Sequence, residues 1–359
     1  VTPIVSRSPF GRLAGGEAVE LFEMRSTTGV VVRVSGYGGV IQAIQVPDRR
    51  GSPGDVVLGF DRLDQYVADE GYFGALIGRY ANRIRDGRFR LDGREYRLPV
   101  NDGAHHLHGG PGGFHKVPWR VQPFGAPDSV GLRLVRVSPH GEQGYPGRLD
   151  AEVTYTLTGN DLVVDYGART DRPTPVCLTQ HTYFNLSAEP ARDVLEHRLQ
   201  LAATRYTPVD DGLIPTGELA PVEDTPFDFR EPTRIGERIG EAHAQLARSG
   251  GYDHNFVLAE DAGEPVLAAR VHEPLSGRVL EVWTTEPGLQ LYSGNYLDGS
   301  VRGKEGRAYG HHSGFCLEPQ HFPDSPNHPD FPRCILRPGE RHRSRTIYRF
   351  GVDTAEEGA

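Results

Sequence analysis

The 359-residue sequence predicts an all-β protein, one large antiparallel β domain with few short helices, on three observations. Residues 149–166 alternate apolar and polar side chains at period two on both sides of a turn, the pattern of a hairpin with one buried face. A second such run, 89–98, is interrupted by Asp92-Gly93, the dipeptide that supplies the positive φ of a type I′ turn. Glycine and proline, 45 and 28 residues, make up about a fifth of the chain, the turn content of many short strands.

In chain order, the first strand expected is 30–34, valine at every position but Arg33. The hairpin 89–98 follows, with Phe89 and Leu91 on one arm and Tyr96 and Leu98 on the other. A strand over 131–137 precedes the long hairpin. There Leu149, Ala151, Val153, Tyr155 and Leu157 face one way, Gly159-Asn160-Asp161 turns the chain, and Leu162, Val164 and Tyr166 resume the alternation. Helical spacing predicts a helix over 233–248 with Ile235, Ile239 and Leu246 on one face, weakened by Gly236 and Gly240. Strands over 266–271, 278–284 and 345–350 complete the set. No repeat and no compositional linker divides the chain, so one domain over 1–352 is expected, followed by an acidic, frayed tail over 353–359.

The 37% hydrophobic fraction becomes about 45% when glycine is counted in place of tyrosine, an ordinary globular value. No apolar run is long enough to span a bilayer, and residues 1–16 hold no stretch of signal-peptide length. Three distant cysteines, Cys177, Cys316 and Cys334, form neither a disulfide framework nor a zinc ribbon and fit a reducing compartment. Cytoplasmic residence is the expectation, with secretion still open. A formal charge of −9 argues against a nucleic-acid partner and for a small ligand of little charge. Phosphate-cradling, dinucleotide, nucleophile-elbow and zinc-protease motifs are absent.

Chemistry concentrates in five segments. Gly78-Arg79-Tyr80-Ala81-Asn82-Arg83-Ile84 offers an amide and two guanidinium groups beside small residues, unless Arg83 only pairs with a carboxylate. In His105-His106-Leu107-His108-Gly109-Gly110, His106 and His108 share a face of an extended chain. That is the geometry of a metal pair, but no third ligand stands at a suitable spacing, and a sugar-site histidine is the better reading, with a structural or solvent role as the alternative. His181, in Thr179-Gln180-His181-Thr182-Tyr183-Phe184-Asn185-Leu186, is either a proton carrier or a satisfied core histidine. Asp253 follows a double glycine and is either a ligand carboxylate or an Asx turn. Glu318 ends the apolar run Gly314-Phe315-Cys316-Leu317, so burial raises its pKa toward that of a general base, unless it closes a buried ion pair.

Taken together and in order, these segments resemble the aldose 1-epimerase (galactose mutarotase) family over nearly the whole chain. Val46-Pro47-Asp48-Arg49-Arg50-Gly51, Val57-Leu58-Gly59-Phe60, Asn82-Arg83, Leu107-His108-Gly109-Gly110, His181 to Leu186 and Asp253-His254-Asn255-Phe256 all stand in family order. Pro287-Gly288-Leu289-Gln290, Gly294-Asn295 and Leu317-Glu318 follow them. The resemblance implies a β-supersandwich and a cofactor-free, metal-free isomerase that interconverts anomers of free hexoses such as D-glucose and D-galactose. It implies Glu318 as general base, His181 as general acid with His108 beside them, and Asn82, Arg83, Asp253 and Gln290 as sugar-binding residues. Gln180 departs from the family's usual Asn and is expected to affect the orientation of His181; the doubled His105-His106 concerns the pocket rim.

Three other functions fit the same scaffold. A phosphorylated or otherwise modified sugar would need a basic cluster, for which only Arg79, Arg83 and Arg85 are at hand. A glycosidase would use Asp253 and Glu318 as paired carboxylates. A non-catalytic sugar binder would have no use for a matched acid and base. A small aldose is the expected partner, with no nucleic acid or membrane, and monomer and homodimer are equally open.

Overall fold

The computed structural model describes residues 3–259 and 263–353, and among these nearly all regular structure is antiparallel strand. A nine-stranded sheet is built around the long hairpin, whose arms Leu149–Thr158 and Asp161–Thr170 pair over their full length. The sheet runs outward from one arm through Ser129–Ser138 to Arg120–Gly125. From the other it runs through His342–Val352, Arg278–Thr284, Val266–His272 and Arg198–Leu201 to Thr233–Arg234. Every strand expected from the sequence is present within a few residues. Leu149, Ala151, Val153, Tyr155 and Leu157 are all buried on one face as the alternation requires. In the smaller hairpin, Asp92 (φ 49°) and Gly93 (φ 80°) supply the two left-handed residues of the tight turn between Arg88–Leu91 and Arg94–Arg97.

A five-stranded sheet, from Ile4–Arg12 to Pro53–Asp55, includes the expected 30–34 strand, observed as Val31–Ser35 and buried on both faces. A six-stranded sheet contains, side by side, Phe315–Gln320, Gly288–Tyr292 and Asp253–Val257. Phe256, Leu289, Leu291, Phe315 and Leu317 turn one face of it into the apolar core that also takes in the inner face of the nine-stranded sheet. The opposite face is where the chemistry lies. No helix among the described residues is long and apolar enough to cross a membrane.

The expected helix over 233–248 is a correction. Thr233–Arg234 is an edge strand, irregular turns follow, and only Ala244–Ser249 is helical. Ile235 is driven into the core directly after the edge strand, and Gly236 donates its N–H to the Leu195 carbonyl at 2.8 Å. A Cβ on Gly236 would lie 2.8 Å from that of Leu195, so tertiary packing, not helical propensity, sets this segment. The tail 353–359 lies outside the described residues except for Asp353.

Candidate active site

Three neighbouring antiparallel strands place the carboxylates and amide of the site. Asn255 opposes Gln290 and Gln290 opposes Glu318; two residues along the same face, Asp253 opposes Tyr292 and Tyr292 opposes Cys316. Because side chains alternate across a strand, Asp253, Gln290, Cys316 and Glu318 share the face turned away from the core. All four are buried. Of these, Asp253 and Glu318 line a cavity of about 440 Å³, together with Tyr72, Asn82, Arg83, Asp102, His108, His181 and Tyr296. Every site residue expected from the sequence thus lies at this one cavity or, for Gln290, hydrogen-bonds a residue that lines it.

Glu318 Oε1 lies 3.7 Å from His181 Nε2, with both side chains almost fully enclosed. Glu318 Oε2 is buried with no hydrogen-bond partner among the described residues. Burial, and next the negative charge of Asp253, push the Glu318 pKa well above its ordinary value against the pull of Arg83. Burial lowers that of His181 to about 4. The His181 ring lies between Tyr72, stacked at 5.7 Å, and Tyr183, at 5.1 Å.

The His108 ring stands edge-on to His181 at 5.1 Å, and its Nδ1 accepts the Asn82 backbone N–H at 3.1 Å. That bond fixes the tautomer: a neutral ring accepting at Nδ1 has its proton on Nε2 and is a donor there. Burial, with the nearby His181 and Arg83, holds His108 well below the usual histidine range, hence neutral. Ligand atoms of His108, His181 and Glu318 do fall within 4.8 Å of one another, close enough to suggest a metal. A cation on His108 Nε2 would have to displace its proton while Nδ1 still accepts from Asn82, so the trio suits proton transfer better than ligation.

Arg83 and Asp253 form a second charged group lining the cavity. Arg83 donates from Nε to Asp102 Oδ2 at 2.7 Å, and its Nη1 is 3.9 Å from Asp253 Oδ2. Gln290 Nε2 donates to Asp253 Oδ1 at 2.7 Å. Burial raises the Asp253 pKa against the opposing pull of Arg83 and Gln290. Asp253 therefore accepts within a network of side chains at the cavity and is not an Asx turn.

Other sequence expectations resolve differently. His106 and His108 do not act as a pair: His108 adopts φ 50°, which takes it out of the extended path, and His106 is locked between the Pro99 carbonyl and Tyr145 Oη. His105 sits apart, accepting the Asp86 N–H at 3.1 Å. Gln180 faces the core, where it accepts from Tyr155 Oη at 2.9 Å and donates to the Gly74 carbonyl, so it supports the loop that holds Tyr72. Arg79 is sealed beneath the site, donating to the Pro146 and Gly147 carbonyls and to Ser138, while Arg85 pairs with Asp210. The basic cluster that a sugar phosphate would need is thus not assembled. Sequence reasoning passed over Tyr72, Asp102 and Tyr296. Of these, Tyr72 carried a sign in the sequence, an aromatic residue in Gly71-Tyr72-Phe73-Gly74, and in the structure it takes the left-handed φ of 60°.

A model of the family described as aldose 1-epimerase matches residues 20–349. The galactose mutarotase of Rattus norvegicus is 50% identical over 349 residues, which span 97% of this chain and 99% of that protein. Among solved structures, an aldose epimerase homologue from C. elegans aligns with TM-score 0.85 at 32% identity over 93% of this chain and 99% of its own. Galactose 1-epimerase from Lactobacillus acidophilus aligns with TM-score 0.86 at 26% identity, over 97% and 99%.

Proposed function

The chain belongs to the aldose 1-epimerase family, and we propose on that premise that Glu318 and His181 carry its anomer exchange as base and acid. The protein is an isomerase of free hexoses. The observation that carries the assignment of roles is the buried pair 3.7 Å apart at the floor of the cavity, with one carboxylate oxygen unpartnered.

Glu318 takes the proton of the anomeric hydroxyl while His181 Nε2 gives its own to the ring oxygen, and the C1–O5 bond opens to the aldehyde. Rotation about C1–C2 presents the other carbonyl face, and the reverse transfers close the opposite anomer. The pair holds one proton throughout: ionised Glu318 with charged His181 before opening, neutral Glu318 with neutral His181 after it. Burial favours the second arrangement and so assists ring opening. In the closed-ring complex, sugar hydroxyls donating to Glu318 Oε2 restore the ionised form. His108, as a neutral donor, and the Arg83–Asp253–Gln290 network hold the hydroxyls, with Asn82 fixing His108. The three cysteines are buried and free, which fits a cytoplasmic location.

The direct test is polarimetry on freshly dissolved α-D-galactose and α-D-glucose. Faster approach to equilibrium by the folded protein is expected, and no acceleration with either sugar would sink the reading. The pH dependence follows from the one-proton requirement. The kcat/KM profile is expected to be bell-shaped: it falls on the acid side near pH 4, where His181 also becomes protonated, and on the alkaline side at a pH above the ordinary carboxylate range, where the pair loses its proton.

Asp253→Asn separates recognition from chemistry. Losing charged hydrogen bonds to the sugar is expected to cost roughly 10–100-fold in kcat/KM, mainly through KM. The same change removes a negative charge that raises the Glu318 pKa, so the alkaline limb moves to lower pH. An alkaline limb that stays in place in the variant would contradict this electrostatic coupling.

A further inference from the structure

The strand Phe315–Gln320 touches His181 twice. Cys316 and Glu318, two residues apart on one face, bracket the imidazole: Cys316 Sγ is 3.6 Å from Nδ1 and Glu318 Oε1 is 3.7 Å from Nε2. Resting on the acid role of His181 above, we propose that the Cys316 thiol is a positioning residue that accepts the Nδ1–H of His181 and holds the tautomer whose Nε2 lone pair receives and returns the substrate proton.

Proton exchange with the sugar takes place at Nε2, the nitrogen facing Glu318, so neutral His181 must keep its single ring proton on Nδ1. No carboxylate or side-chain amide reaches Nδ1 among the described residues; apart from the backbone of His181 itself, which also favours a proton on the ring, the atom there is the Cys316 sulfur. The aromatic clamp of Tyr72 and Tyr183 keeps the ring from turning to seek another partner. A thiol is a weak acceptor, and that weakness has a chemical use. A carboxylate at Nδ1 would strengthen the hold of Nε2 on its proton, whereas sulfur lets charged His181 release it readily. Burial keeps the thiol itself protonated, so it brings no competing negative charge.

The test is ¹⁵N NMR of the histidine rings at neutral pH without substrate, together with steady-state mutarotation kinetics, for wild type, Cys316→Ala and Cys316→Ser. The Nδ1–H tautomer is expected to dominate His181 in the wild type and to lose that dominance in Cys316→Ala. In the same variant kcat should fall roughly five- to tenfold, the worth of one weak hydrogen bond, with little change in KM. Cys316→Ser, whose hydroxyl can also accept, should restore the tautomer and most of the rate, and should move the acid limb of the pH profile upward. An Nε2–H tautomer in the wild type overturns the proposal, as does a Cys316→Ala protein with unchanged tautomer and pH profile. The spectrum is read without turnover, so a wrong tautomer in an active wild type indicts the thiol alone. An inactive wild type would indict the acid–base reading itself.

Discussion

Glu318→Gln is expected to lower kcat for mutarotation by roughly 10²–10⁴-fold, the worth of one general base, while leaving the protein folded. The amide keeps the shape of the carboxyl but has no proton affinity in the working pH range. Removing an ionisable group from a site where Oε2 has no partner relieves a desolvation penalty, so thermal stability should hold or rise. Substrate binding should weaken little, because Arg83, Asp253 and Gln290 are untouched. His181→Ala should lose a comparable factor, and the double variant should be little worse than either single one, since an acid without its base is of small use. Polarimetric rates with a parallel melting curve make the check. A Glu318→Gln protein within tenfold of the wild-type rate would remove Glu318 from the mechanism.

Gly109→Ala should be the most damaging single methyl at the site. Gly109 has φ 81°, and a Cβ there would stand 1.9 Å from the Gly78 carbonyl oxygen and 2.8 Å from the Arg79 nitrogen. Both are backbone atoms, so no side chain can swing aside, and left-handed strain adds to the clash. A loss on the order of 3–5 kcal/mol is expected, measured as a fall in the urea midpoint at unchanged slope. His108 is the preceding residue, so whatever fraction folds should also bind sugar less well. A shift below about 1 kcal/mol would show that the chain can re-route there at little cost.

How far the sequence could be followed depended on what each segment faces. The long hairpin was legible because water covers one of its faces, so chemical alternation and exposure coincide. The strands Gly288–Tyr292 and Phe315–Gln320 are buried on both faces; their alternation is of apolar against reactive residues, and it reads as a motif before it reads as a strand. Ile4–Arg12 is mostly exposed and mixes apolar and polar residues without alternation, so it carried no period-two pattern. The helix over 233–248 failed because three apolar residues at helical spacing met a core that takes Ile235 directly from an edge strand. Residue type and motif order singled out Glu318, His181 and Asp253, and the structure brings them to one cavity. Neither signal singled out Tyr72 or Cys316, whose contacts with the His181 ring exist only in three dimensions.

The proposed base and the proposed sugar-contacting loop residues stand on different kinds of backbone, and this divides what selection can alter. Asp253, Gln290 and Glu318 are rungs of a hydrogen-bonded ladder whose spacing a substitution elsewhere hardly changes. Asn82 and His108 project from left-handed turns, at φ 61° and 50°, in loops that length changes can reshape. Descendants of such a chain can therefore drift in which hexose they prefer by remodelling those loops, while inheriting the ring-opening machinery unchanged.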